Sequence, residues 1–242
     1  MNEEIKEFLE SYKMKNVPDT VYYIPNFISE EEETNIVNKV SNSPLPKWTQ
    51  LSNRRLQNWG GIPHPKGMIA ETIPDWLQNY VEKVEKLSVF QKPIRPNHVL
   101  INEYLQGQGI MPHLDGPLFY PTVTTISCGS HTVLDFYSQR SDSVTDAQDI
   151  PMQTDEKEVS NQKMFSLLVE RRSLLVLQDD MYSKYLHGIA EVCDDVISDD
   201  LANLHQTGQS FKMGERLNRD TRISLTIRHV PKTTKLKINF IR

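Results

Sequence analysis

Only two cysteines, Cys128 and Cys193, occur in the 242 residues, too few for a disulfide framework or a cysteine-based zinc site. Long apolar runs are missing too. The longest, such as Ser173 to Leu177, fall far short of a membrane span, so no membrane partner is expected. The N-terminus opens on acidic and polar residues instead of a signal peptide, and a reducing compartment, cytoplasmic and nuclear, is the expectation. No internal repeat is present, and a monomer is expected. A surplus of positive charge is absent as well. The formal net charge of −5 argues against a protein built to coat duplex nucleic acid.

What charge there is lies unevenly. From Arg216 to Arg242 the only acidic residue is Asp220, among eight arginines and lysines. A second basic cluster, Lys47, Arg54, Arg55 and Lys66, is interleaved with Trp48, Trp59 and His64. A solvated face explains either cluster. Interleaved aromatics also suit nucleic acid, because rings stack bases while cations hold the backbone.

The chain is long enough for a sizeable core, and an all-β domain of this length can be a single unit. Residues 3–14 read as a short amphipathic helix. VYYIPNFI (21–28) reads as a strand leading into a second helix, with Ser29 as N-cap and Glu32 completing a capping box. A third helix spans Ile73 to Leu87, where Trp76, Leu77, Tyr80, Val81 and Val84 recur at helical spacing. From Asn97 the pattern changes to short β-like runs: HVLINEYL, TVTTISC, TVLDFY, MFSLLVE, SLLVLQ and RISLTIRHV. Turn residues separate most of them, as in an antiparallel sandwich or barrel. Polar segments 138–163 and 191–218 read as loop insertions.

His113-Leu114-Asp115 follows the turn QGQGIMP. On an extended chain, residues two apart point the same way, so imidazole and carboxylate can converge on one ion. Two histidines and one carboxylate leave positions open on iron(II) for a bidentate cosubstrate and dioxygen. The tripeptide alone is weak evidence, and a third ligand must come from His131, His187, His205 or His229. His187 follows the strand SLLVLQ and a turn, so it opens a strand. His131 precedes a strand and could line the pocket, whereas His205 lies in an insertion.

TRISLTIR (221–228) alternates strictly. Ile223, Leu225 and Ile227 face one way; Arg222, Ser224, Thr226 and Arg228 face the other. A half-exposed strand would show this pattern. So would a strand whose polar row lines a barrel interior, where two guanidiniums need anions. A dicarboxylate such as 2-oxoglutarate supplies two, in a geometry that arginine forks match. Asn102 and Tyr104 of HVLINEYL share a face and could serve the same ligand.

With these residues assembled, the chain resembles the AlkB family of iron(II)- and 2-oxoglutarate-dependent dioxygenases. The similarity rests on NEYLQGQGIMPHLD (102–115), TISCGS (125–130), LLVLQDDMYSKYLHGI (174–189) and TRISLTIR (221–228), and spans roughly residues 20–230. KWTQLSNRRLQNWGGIPHPKGM (47–68) and DGPLFYPTVTTISCGSHTVLDFY (115–137) resemble one eukaryotic branch more narrowly. The resemblance implies a mainly β fold with flanking α: a double-stranded β-helix, or jelly roll, over 97–230, supported by N-terminal helices, with 1–96 as a helical and lid-like extension of one domain. It implies Fe(2+) with 2-oxoglutarate and O2 as cosubstrates. By position, His113, Asp115 and His187 match the metal ligands, and Arg222 the arginine on the distal carboxylate, supported by Tyr104 and Ser224. Asn102 and Arg228 match groups near the chelating end. Ser224 departs from relatives with asparagine there, and the stretch from His187 to Arg222 is longer than in compact members.

The family's precedent is dealkylation of N-alkylated bases, which implies single-stranded RNA or DNA as partner. Lys47, Trp48, Arg54, Arg55, Trp59 and His64 would then form the recognition lid, the rings stacking a flipped base, with Tyr120 and His131 approaching the metal. Packing of both tryptophans against the core is the competing expectation. Hydroxylation or demethylation of a protein side chain is a rival activity. A non-catalytic binding module is a rival of another class, disfavoured because a scaffold has no need to bury two guanidiniums.

Overall fold

Ser29 and Glu32 do form the capping box. Ser29 Oγ accepts from Glu32 N at 3.1 Å, and Glu32 Oε2 accepts from Ser29 N at 2.8 Å. This computed structural model of the chain describes residues 3–139 and 162–234, so most of the 138–163 insertion lies outside the described residues.

In chain order the first elements are α1 (Glu3–Ser11), β1 (Val21–Ile24), α2 (Glu30–Ser41), β2 (Thr49–Leu51), β3 (Arg54–Trp59), β4 (Met68–Ile69) and α3 (Asp75–Glu85). The strands β5 (His98–Tyr104), β6 (Ile110–His113), β7 (Thr122–Cys128), β8 (Thr132–Ser138), β9 (Lys163–Val169) and β10 (Leu174–Gln178) follow. Then come the short α4 (Asp179–Ser183), β11 (Tyr185–Ile189), β12 (Asp194–Val196), β13 (Arg216–Asn218), β14 (Arg222–Arg228) and β15 (Thr233–Thr234). The first helix stops at Ser11, short of the expected residue 14, because Lys13 bridges to Tyr22.

Seven strands pair antiparallel in the order β1-β10-β7-β14-β5-β3-β2, and four more in the order β6-β11-β8-β9. The two sheets pack face to face as a jelly roll. Tyr23, Val123, Leu175 and Leu177 of the larger sheet meet Leu134, Phe136, Leu167 and Ile189 of the smaller one. The other face of the larger sheet is covered by the helices, where Ile36, Leu77, Val81 and Val84 pack on Val99, Ile126, Val176 and Leu225. Its central strands are therefore buried on both faces, which is why LLVL in β10 is continuously apolar.

The 1–96 region adds strands to the core of the one domain, β1 forming one edge of the large sheet and the β2–β3 hairpin the other. The 191–218 region is no plain loop. β12 pairs with β13, and Ile197 and Leu201 are buried on Leu168. Polar anchors take the place of apolar periodicity there: the fully buried Asn203 side chain bonds both Leu168 N and O at 2.9 Å.

Candidate active site

The alternation in β14 resolves in favour of a buried polar row. Ile223, Leu225 and Ile227 face the helices, while Arg222, Ser224 and Arg228, only 6, 3 and 5 % exposed, face the smaller sheet. Register places partners along the row: Arg222 opposite Tyr104, Ser224 opposite Asn102 and Ser127, and Arg228 opposite His98. Arg222, Ser224, Arg228, Tyr104 and Asn102 line a cavity of about 670 Å³ between the sheets, which also takes in His113, Asp115, His187 and Arg54.

His113 and His187 are cross-strand partners on β6 and β11, with ring centroids 4.5 Å apart. The close approach of these strands depends on Gly109, where a Cβ would lie 2.2 Å from Ile189 O. His113 Nδ1 lies 2.9 Å from Met111 O, so it donates there and leaves Nε2 free as a lone-pair donor. Burial pushes His187 down to about 4, with the neighbouring Asp115 opposing the shift, so its imidazole is neutral near pH 7.

Asp115 lies past the end of β6, so the argument that residues two apart point together does not position it. Arg228 does: its Nη1 donates to Asp115 Oδ1 at 2.5 Å, and its guanidinium carbon stands 3.8 Å over the Phe119 ring. Among the described residues, no three histidine, cysteine or acidic side chains are gathered as a ready-made metal cluster. The donor set nonetheless suits iron(II). It offers two imidazoles at contact distance and a carboxylate, with one oxygen committed to Arg228, all lining one cavity.

The far end of the cavity suits a dicarboxylate. Arg222 Nη2 donates to Ser127 Oγ at 2.8 Å, its Nε has no partner, and no carboxylate pairs with it among the described residues. Burial lowers this guanidinium to about 10, the signature of a charge held without an anion. Tyr104, its ring centroid 5.8 Å from the guanidinium, is itself raised by burial, with Arg222 opposing. Asn102 Oδ1 accepts from Arg54 Nε at 3.1 Å.

The lid residues divide. Leu56 of β3 pairs with Asn102, so Arg54 and Leu56 share the cavity face while Arg55, Gln57 and Trp59 point to the other side of the sheet. There Arg55 makes a double hydrogen bond to Glu103, at 2.6 and 2.9 Å, and covers the Trp48 ring at 4.0 Å. Lys47 stands 4.1 Å over the Trp59 ring, which meets Trp76 edge-on at 6.0 Å. Trp48 and Trp59 thus pack half-buried against the core, each covered by a cation, on the face of the sheet turned away from the cavity. His64 sits in an exposed turn, its Nδ1 accepting from Lys66 N at 3.1 Å.

Tyr120 packs between Phe90 and His229, and the neighbouring Phe119 holds the position beside Arg228 instead. His131 also lies off the cavity: its Nε2 is 3.2 Å from Asp195 Oδ2, near but not aligned for a hydrogen bond, beside the Asp195–Arg219 ion pair. His229 turns its Nδ1 to Arg95 O, and His205 is exposed. Sequence reasoning passed over His98, which is fully buried with Nε2 3.2 Å from Asn58 Oδ1. It lies two residues before Leu100 on the face that carries Asn102 and Tyr104, so the alternation of HVLINEYL contained the signal.

A model of the 2OG-Fe(II) oxygenase superfamily matches residues 47–228. The chain is 56% identical over 230 residues to a zebrafish (Danio rerio) protein named probable RNA/DNA demethylase ALKBH6, covering 95% of this chain and 94% of that one. It is 25% identical to uncharacterized protein L905 of Acanthamoeba polyphaga mimivirus, covering 91% and 90%. Among solved structures, OsALKBH1 is similar with a TM-score of 0.53 at 13% identity, over 88% of this chain and 100% of that one. A Pseudomonas putida prolyl-4-hydroxylase shares the fold at a TM-score of 0.50 and 9% identity, over 97% and 100%.

Proposed function

Since the chain belongs to the 2OG-Fe(II) oxygenase superfamily, and within it to the AlkB family, we propose that this iron(II)- and 2-oxoglutarate-dependent dioxygenase removes alkyl groups from N-alkylated bases of single-stranded RNA or DNA. His113, Asp115 and His187 would hold the iron, and Arg222 would receive the distal carboxylate of 2-oxoglutarate. When bound, the metal and cosubstrate supply the oxidising power: dioxygen and 2-oxoglutarate yield succinate and carbon dioxide, and a substrate C–H bond becomes C–OH. On an N-methyl group, the resulting hydroxymethyl amine collapses to free amine and formaldehyde.

The chain's own residues prepare that step. Met111 O fixes the His113 tautomer, and Arg228 fixes Asp115. Buried Arg222 and Tyr104 orient the cosubstrate in a cavity walled by Val123, Leu134 and Leu175, which limits water around the reacting atoms.

One observation carries the substrate class: identity of 56% along 95% of the chain to a protein named as an RNA/DNA demethylase. A preference for single strands is supported by where the metal-ligand candidates lie. The two histidines lie between the sheets, so a base must leave its stack to reach them, which costs a few kcal/mol in a duplex. The test is formaldehyde release from matched N-methylated oligonucleotides, single-stranded and duplex, beside methylated peptides. Turnover of single strands above duplexes supports the reading. Turnover of peptides alone would replace it with the protein-modifying alternative.

A further inference from the structure

Among the described residues, three guanidiniums line the cavity, those of Arg54, Arg222 and Arg228, against one carboxylate, Asp115, so this part of the wall carries a net charge of +2. Iron(II) and the 2-oxoglutarate dianion cancel each other and leave that surplus in place. Two of the three arginines have assigned partners: Arg228 is paired with Asp115, and Arg222 suits the cosubstrate. Arg54 has neither. It stands at the start of β3, where the two-residue turn Ser52-Asn53 overhangs the cavity, and among the described residues the only hydrogen bond of its side chain is Nε to Asn102 Oδ1. That bond aims the guanidinium while both Nη groups stay uncommitted. The adjacent Arg55 spends its charge on Glu103 across the sheet, so the pair of arginines is divided between structure and cavity. The overhanging turn is itself tied across the opening, Asn53 Nδ2 donating to Glu191 Oε1, which holds Arg54 at the rim.

We propose that Arg54 is the phosphate-holding residue of the site, binding the phosphodiester beside the target nucleotide while its base enters the cavity. This rests on the nucleic-acid reading above and narrows it to one contact. Arginine is suited to the role because its fork meets two phosphate oxygens at once, and the half-buried setting strengthens the bond relative to open solvent. It also gives specificity of a kind: a free methylated base or nucleoside lacks the anion and would bind without this contact.

The test is a double-mutant cycle between residue and phosphate. A fluorescent single-stranded oligonucleotide with one N-methylated base is titrated against wild type, Arg54→Gln, Arg54→Lys and Lys66→Gln. It is made either with ordinary linkages or with uncharged methylphosphonates on both sides of the methylated base. The methylphosphonates should weaken wild-type binding about tenfold, and Arg54→Gln should weaken binding of the ordinary strand by about the same factor. Together the two changes should cost little more than either alone, and Arg54→Gln should lower the salt slope by about 0.7. Arg54→Lys should recover part of the loss. Lys66→Gln, an exposed cation off the cavity, should keep the full methylphosphonate penalty. Equal methylphosphonate penalties in wild type and Arg54→Gln would overturn the assignment. Wild type that consumes 2-oxoglutarate yet neither binds nor demethylates any oligonucleotide would instead overturn the nucleic-acid reading, and the assignment with it.

Discussion

Replacing Arg222 by methionine should have opposite effects on the free and cosubstrate-bound protein. The free protein holds this guanidinium 6 % exposed, with one neutral hydrogen bond to Ser127 and an unpartnered Nε. Methionine of similar reach removes a buried charge that has no anion and loses a bond worth about 1 kcal/mol. The melting temperature without cosubstrate should therefore stay level or rise. With 2-oxoglutarate the sign reverses. A charge-assisted pair contributes roughly 1.5–3 kcal/mol, so Kd should rise about ten- to a hundredfold. At a hundred times the wild-type Kd, ligand stabilises the wild type by about 2.7 kcal/mol, or about 5–11 °C for a chain of this size. At the same concentration a tenfold weaker variant gains about 1.4 kcal/mol, half the shift. Thermal melts with a redox-inert divalent metal, with and without 2-oxoglutarate, read both effects, and calorimetry gives Kd. A variant that melts several degrees lower when free, yet is protected by 2-oxoglutarate as well as wild type, would refute the assignment of Arg222.

Asp115→Ala should destabilise the fold by about 3–5 kcal/mol, because it leaves Arg228 buried without its anion, and adding Arg228→Met should recover most of the loss in thermal melts. Asp195 is pulled upward by burial, its largest influence, yet the hydrogen bonds from Arg219 and the nearby His131 ring outweigh this and hold its carboxyl below the usual range. A depressed carboxylate stabilises the fold above its unfolded pKa of about 3.9 and loses that contribution as pH falls through the folded value. The melting-temperature gap between wild type and Asp195→Asn should therefore be wide at pH 7 and close below about pH 4. Arg55→Gln should cost about 1–3 kcal/mol in stability by leaving buried Glu103 unsatisfied, while Arg54→Gln should leave the melting temperature nearly unchanged.

Much of the site could be read from periodicity. The alternation of TRISLTIR and HVLINEYL sorted each strand into the two faces that the fold keeps apart, because side chains in a strand alternate whatever the strand pairs with, but left open what each face meets. Which face of a hairpin looks inward was not legible in the same way. RRLQNW carries polar and aromatic residues on both faces, and only the register of Leu56 against Asn102 assigns Arg54 to the cavity and Arg55 with Trp59 to the core. His131 and Tyr120 lie off the cavity for a related reason. Each is adjacent in sequence to a site element, but a long-range partner, Asp195 for one and Phe90 with His229 for the other, turns it away. The 191–218 segment hid its order because Asn203, Asp195 and Arg219 anchor it through polar contacts, which leave no hydrophobic period.

The claim on which everything else depends is that His187 completes a metal site with His113 and Asp115. It is tested most directly by succinate release from purified His187→Ala, supplied with iron(II), 2-oxoglutarate and dioxygen but no substrate, beside wild type. The account predicts a folded variant, by circular dichroism and melting temperature, whose succinate release is abolished. A folded His187→Ala that releases succinate at a near-normal rate would contradict it.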